Sequence, residues 1–306
     1  MLFSIVIPVY RAAGIVEELL TRTKTAMEFA GGNYQLVLVE DGSPDNTWDV
    51  IEQQCSKEKN ITAIKLSRNF GQHHAITAGL DHCTGDWVVV MDCDLQDRPE
   101  EIERLYKEAQ KGFDIVFARR MNRKDSFIKK ARSKLFYSLF SYLTGIKYDG
   151  TVGNFGIYSR KVIESIKTMK EPLRAFAPMV RWVGFSRSFV DVGHAARVNG
   201  KSTYSFKKVF VLATDIILSY SDKPLKLITR LGFIISFISF AVGAYYFIQF
   251  LLGRILVSGY TSIIISIWFL SGLIILNLGI LGLYVSKMFA GIKNRPLYIV
   301  DKTISS

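Results

Sequence analysis

Two stretches near the C-terminus limit what this chain can fold into more than any other feature. Leu231 to Leu252 and Thr261 to Ser286 contain no ionisable side chain except tyrosine. They are about 22 and 26 residues long, and about 20 apolar residues suffice to cross a bilayer as a helix. Both are apolar all round, so neither reads as an amphipathic surface helix. The competing reading is a buried hairpin in a large soluble core. Neither stretch is N-terminal, which excludes a cleaved signal peptide. Lys223, Lys226 and Arg230 precede the first, Lys287, Lys293 and Arg295 follow the second, and the connector holds only Arg254. The positive-inside rule then puts both termini and everything before the first span in the cytoplasm.

The 306 residues leave room for one large soluble domain before the spans. The division expected is 1–220 for that domain and 221–306 for the membrane domain with a cytoplasmic C-terminal tail. Cys55, Cys83 and Cys93 form no metal-ligand spacing and no even disulfide set, as suits a reducing compartment. The net charge of +12 comes with no nucleic-acid motif, so nucleic acid is excluded as a partner. An anionic lipid bilayer is the simpler partner for cations next to membrane spans.

Along the soluble part, apolar strand-like runs alternate with helix-like stretches. Strands are expected at Phe3 to Val9, Gln35 to Glu40, Ile61 to Leu66, Val88 to Met91 and Asp114 to Ala118. Helices are expected over Gly14 to Phe29, Thr47 to Gln54, Gln72 to Leu80 and Pro99 to Gln110. This rhythm predicts a doubly wound, largely parallel α/β sheet. No G-x-G-x-x-G follows the first strand, which disfavours a dinucleotide-dependent oxidoreductase. Two later stretches, about 126–145 and 205–220, pair lysines with broad aromatic and aliphatic faces. They read as helices lying in a membrane interface.

The fourth strand ends in Asp92-Cys93-Asp94-Leu95-Gln96-Asp97. Ligands gather at the carboxyl ends of parallel strands, and two Asp separated by one residue can share a hard cation or divide it with a polar ligand. An ordinary acidic turn accounts for Asp97, as the cap of the helix near Pro99, but poorly for Asp92 and Asp94. His73 and His74 follow Gly71 and read as helix-surface histidines, and His194 is a weaker site candidate.

Ser4-Ile5-Val6-Ile7-Pro8-Val9-Tyr10, Val39-Glu40-Asp41-Gly42-Ser43, Asn69-Phe70-Gly71 and the Asp92 to Asp97 run together resemble glycosyltransferase family 2, with its GT-A (Rossmann-like) nucleotide-sugar-binding domain. The Asp149 to Arg160 segment, Arg197-Val198-Asn199-Gly200-Lys201-Ser202 and the paired spans narrow the likeness to its polyprenyl-phosphate glycosyltransferases. That resemblance implies inverting transfer of one sugar from a nucleotide-sugar to a polyprenyl phosphate such as undecaprenyl phosphate, at the cytoplasmic face of a plasma (inner) membrane. UDP-hexose is the donor implied by bacterial relatives, GDP-mannose the next. A homo-oligomer is suggested by family likeness alone.

By the same resemblance, Pro8, Tyr10, Asp41, Asp92, Asp94 and Gln96 form the donor site, with Asp41 on the base or ribose, Asp92 on the ribose or sugar, and Asp94 on Mg²⁺ or Mn²⁺. A cation there would neutralise charge developing on the leaving diphosphate. Arg119, Lys130, Ser133, Lys134, Arg197 and Ser202 resemble the acceptor-phosphate site, with Arg197 closing over both phosphates; Asp92, Asp94 and Arg197 form the catalytic set. The chain departs from the pattern at Phe155-Gly156, where an arginine is usual, and after Gly200. Two other readings stand beside this one. A processive polysaccharide synthase subunit would carry Gln-x-x-Arg-Trp, but Pro178 stands where Gln belongs before Arg181-Trp182. A non-catalytic membrane scaffold would keep the domain for partner binding.

Overall fold

The computed structural model of the chain describes residues 1–31, 33–120, 141–144, 151–169, 171–193, 214–215, 217–218, 221–253 and 259–305. Two compact units are present: Met1–Leu139, Ile146–Ser205 and Arg295–Ser306 form one, Phe140–Gly145 and Phe206–Asn294 the other.

In the first unit, β1 (Phe3–Val9), β2 (Tyr34–Glu40), β3 (Ile61–Leu66) and β4 (Trp87–Val90) run parallel, separated by α1 (Val16–Ala26), α2 (Thr47–Cys55) and α3 (Gln72–His82). Every residue of β1 is buried. That is the signature of a strand covered on both faces, and it explains why Phe3–Val9 reads as a mostly apolar run. Ile5, Ile7, Leu36 and Leu38 pack with Leu19, Trp48 and Ile51 on the face covered by α1 and α2. On the other face, Gly79 of α3 sits against Val6 and Val39.

The sheet continues past what the sequence rhythm predicted. After a 3₁₀ turn at Pro99–Glu101 come α4 (Ile102–Ala109) and β5 (Ile115–Arg120), then β6 (Val152–Ser159), α5 (Arg160–Thr168), α6 (Phe176–Trp182) and β7 (Arg187–Val192). The strand order is β7-β5-β6-β4-β1-β2-β3-β8. β6 lies antiparallel between β4 and β5, so the sheet is mixed. Gly156 of β6 explains one departure from the family pattern. A Cβ there would fall 2.7 Å from the Val116 carbonyl oxygen and 2.8 Å from the Tyr158 hydroxyl, so this strand has no room for an arginine.

The second unit contains α7 (Lys223–Leu251) and α8 (Tyr260–Ile292). Apolar windows at Lys223–Tyr246 and Ser266–Ile292 have mean hydropathies of 1.9 and 2.0 and are unburied. The buried-hairpin reading therefore fails. Phe233, Phe237, Phe240 and Trp268 are all exposed, and leaving such side chains in water costs about 1.5–3 kcal/mol each. These helices need an apolar surrounding. The two interfacial helices expected from the sequence lie, apart from short helical pieces, outside the described residues.

Beyond α8 the chain returns to the first unit. β8 (Val300–Ser305) pairs antiparallel with β3 and completes its edge. Ser67 donates to the Ile299 carbonyl at 2.9 Å, and the Tyr298 hydroxyl donates to Asp81 at 2.7 Å. Lys302 pairs with Glu52 at 2.6 Å and, with Lys65, flanks the Trp48 ring.

Candidate active site

The strand order reverses between β1 and β4, and the main chain opens a crevice there. Met91 donates to the Val6 carbonyl at 3.2 Å, where β1–β4 pairing ends, while β1 stays paired to β2 as far as Val9 opposite Glu40. In a strand, main-chain groups two residues apart face the same neighbour, so Pro8 faces the side that β4 has left. Its missing N–H costs no ladder bond at that position. Reversal points of this kind are where open α/β sheets bind ligands.

Four loops meet at the crevice, and hydrogen bonds chain them together. After β1, Arg11 has φ +51° and its amide donates to Ser43 Oγ at 3.0 Å, while Ala12 donates to Thr47 Oγ1 at 3.0 Å. Tyr10 stays exposed beside them. After β2, Asp41 is buried and both its oxygens accept main-chain amides, from Phe70 at 2.7 Å and Gly71 at 2.9 Å. Burial raises its pKa, with those two amides opposing the rise. Neighbouring Glu40 is also buried. Its Oε1 accepts the Ser43 amide, whereas Oε2 is buried with no partner among the described residues.

The loop after β3 leads into α3, whose first residue, Gln72, donates from Nε2 to Asp92 Oδ1 at 2.5 Å. Burial, then Asp97 and Asp94, push the Asp92 carboxyl up to about 7. Asp94 Oδ1 accepts the Gln96 amide at 3.2 Å. Between them Leu95 is fully buried yet has φ +58°, a conformation that costs a bulky residue strain and clusters at functional loops. Pro8, Tyr10, Asp41, Asp92, Asp94 and Gln96 thus come together at the carboxyl ends of β1, β2 and β4.

Asp97 does not cap a helix. Only 3% exposed, it accepts Arg120 Nη2 at 3.0 Å on one oxygen and the Asp92 amide at 3.3 Å on the other. Arg98 occupies the N-cap of the following turn, with no side-chain cap bond. An ion pair reaching in from β5 has claimed the carboxylate that sequence spacing assigned to capping.

The donor set bears on the expected cation. Among the described residues no three acid, histidine or cysteine side chains converge into a metal cage. The residues fit a Mg²⁺-like ion that takes one or two protein carboxylates and fills its shell with phosphate oxygens and water. The crowding that raises Asp92 is what such a charge would relieve.

Of the residues that the resemblance implies for the acceptor phosphate, Arg119 stands opposite Asp191 on paired strands and is held by it through two bonds, Nε at 2.5 Å and Nη2 at 3.0 Å. Lys130, Ser133, Lys134, Arg197, Ser202 and His194 lie outside the described residues. Two residues that join the site, Gln72 and Arg120, are not marked by the sequence pattern. Gln72 had a faint signal, an amide at the first helical position after Asn69-Phe70-Gly71. Arg120 had none, because strand alternation cannot tell which of Arg119 and Arg120 faces the acids.

His73, expected on the helix surface, is partly covered there. Half-buried, it accepts the Phe176 amide on Nδ1 at 3.4 Å. Burial, then the charge of His74, lowers its pKa from the ordinary 6.5 to about 4. Between those values the unfolded chain binds a proton that the folded protein refuses. Stability is therefore full above 6.5 and falls as pH drops towards about 4, by at most about 1.4 kcal/mol per pH unit. His73→Asn, which keeps an acceptor without titrating, should flatten the fall in thermal midpoint between about pH 7 and pH 5. Equal slopes in the two proteins would show that His73 does not carry it.

Comparison with known proteins bears on all these loops. The sequence profile described as Glycosyl transferase family 2 matches residues 4–167, which include every strand-end motif of the crevice. The chain is similar to glycosyltransferase YkcC of Bacillus subtilis (strain 168), 36% identical over 305 residues that cover 98% of this chain and 94% of that protein. It is similar to the bactoprenol glucosyl transferase of Shigella phage SfII, 34% identical over 304 residues that cover 99% and 98%. Among solved structures it is similar to glucosyl-3-phosphoglycerate synthase from Mycobacterium tuberculosis in complex with Mn²⁺, UDP and phosphoglyceric acid. The TM-score is 0.52 at 15% identity, covering 71% of this chain and 76% of that one. That last likeness concerns the fold alone, and the fold is GT-A.

Proposed function

The chain belongs to glycosyl transferase family 2, and we propose that it transfers one sugar from a nucleotide-sugar, UDP-hexose first, to a polyprenyl phosphate such as undecaprenyl phosphate, with inversion. One observation carries this reading: a single chain joins an acidic crevice at the β1/β4 reversal to two long, unburied apolar helices. The similarity to a phage bactoprenol glucosyl transferase points the same way.

In the reaction, an acceptor phosphate oxygen forms a bond to the anomeric carbon. The bond from that carbon to the donor diphosphate breaks, and its electron pair leaves with the nucleoside diphosphate. A phosphate monoester has a second pKa of about 6 and is already anionic near neutrality, so the carboxylates need not remove a proton from the nucleophile. Their task is positioning. Asp94 would hold Mg²⁺ or Mn²⁺ with the donor diphosphate, and when bound the ion stabilises the negative charge of the leaving group. Asp92 would orient the donor's ribose or sugar. Since both oxygens of Asp41 already hold main-chain amides, Glu40, with an open buried oxygen, joins it as a candidate for the base. Arg119, Lys130, Ser133, Lys134, Arg197 and Ser202 remain the proposed acceptor-phosphate contacts, Arg119 with its charge already matched by Asp191.

The proposed topology has both termini in the cytoplasm, from the lysines and arginines flanking the spans. Pairing of β8 with β3 supports the same-side part of it by parity, because only an even number of crossings returns the chain to the side it left. The test is direct. Detergent-purified protein is incubated with Mg²⁺, undecaprenyl phosphate and a panel of nucleotide-sugars, and the lipid product is weighed by mass spectrometry. One added hexose is expected. Serial addition would favour a processive synthase, and no turnover of any donor a scaffold.

A further inference from the structure

We infer that Gln72 is the positioning residue of the donor site, acting through Asp92. The inference rests on the reading that this crevice binds a nucleotide-sugar. Asp92 stands among acids, with Asp94 two residues on and Asp97, itself paired with Arg120, holding its amide. Repulsion of that kind turns a carboxylate away from its neighbours, so its direction has to be imposed. Gln72 imposes it, with Nε2 at 2.5 Å from Oδ1. A neutral amide does this without neutralising the cluster, and so leaves the site's negative charge available to a cation.

Gln72 is itself held in place. It opens α3, and the two residues before it, Phe70 and Gly71, give their amides to Asp41. Further along the helix, Thr77 accepts from the buried guanidinium of Arg174 at 3.2 Å. The start of α3 therefore links the acid at the end of β2 to the acid at the end of β4. One short segment, Phe70 to Gln72, thus holds both acids.

The experiment is a double-mutant cycle in the full-length, detergent-solubilised protein. UDP with Mg²⁺ is titrated calorimetrically into wild type, Gln72→Ala, Asp92→Asn and the double variant, and thermal midpoints are recorded alongside. A hydrogen bond to a charged group supports an expected loss of about tenfold in UDP affinity for Gln72→Ala, at an unchanged midpoint. A residue acting only through Asp92 adds nothing further in the Asp92→Asn background. Affinity within about twofold of wild type, or losses that multiply in the double variant, would overturn the inference. Gln72→Asn keeps an amide but shortens it by one methylene, and it reads the same way should the alanine variant fold poorly. A wild type that binds no nucleotide at all would instead sink the donor-site reading itself.

Discussion

Replacing Asp94 with asparagine is expected to lower sugar transfer by about 10²–10³-fold, the usual loss when one preorganised electrostatic contact to a transition state is removed. The change is close to isosteric. Asparagine keeps a side-chain oxygen that can accept the Gln96 amide, now 3.2 Å from Asp94 Oδ1, so the loop has little reason to move. What goes is the charge. No three acids, histidines or cysteines form a cage among the described residues, so a cation shared with a donor diphosphate would lean heavily on one or two carboxylates. Two readouts separate this from a folding defect. The thermal midpoint should hold within a few degrees, and raising Mn²⁺ should recover part of the lost rate by mass action. Turnover like that of wild type in Asp94→Asn would remove Asp94 from the metal.

How much of this was legible in the sequence depends on whether a residue's partner is near in the chain. The first five strands were readable because each carries a mostly apolar, mostly buried run, complete in Phe3–Val9 and interrupted in Ile61–Leu66 only by half-buried Thr62 and Lys65. β6, β7 and β8 were not. Arg187–Val192 is a half-exposed edge strand with two charges, and Val300–Ser305 takes its strand form from pairing with β3 across the sequence. The same distinction divides the site. Asp92 and Asp94 were visible because an apolar strand ends on them. Asp97 was misassigned to a local cap because its partner, Arg120, lies on another strand. The contact of His73 with the Phe176 amide lay beyond local spacing in the same way. Local spacing found the acids but not their contacts.

The second large effect expected is from a single methyl group at Gly42. This glycine turns the chain after Asp41 with φ +62°, and a Cβ on it would fall 2.8 Å from Arg68 Cα and closer still to the Arg68 carbonyl carbon and the Asn69 nitrogen. Those atoms are backbone and cannot rotate away. Two costs add in Gly42→Ala. A left-handed conformation disfavours an L-residue by about 1–2 kcal/mol, and forcing the two loops apart costs about 1–3 kcal/mol more. Gly31 provides the control, with φ +60° and nothing within 4 Å of its Cβ position, so Gly31→Ala should show the first cost alone. The loops that would separate are those joined by the bonds from Phe70 and Gly71 to Asp41. Gly42→Ala should therefore lose nucleotide affinity as well as stability, whereas Gly31→Ala, far from those bonds in sequence, should lose only stability. Equal denaturation midpoints for the two variants would mean that the loops yield freely, and the tight approach of Gly42 to Arg68 and Asn69 would then hold nothing in place.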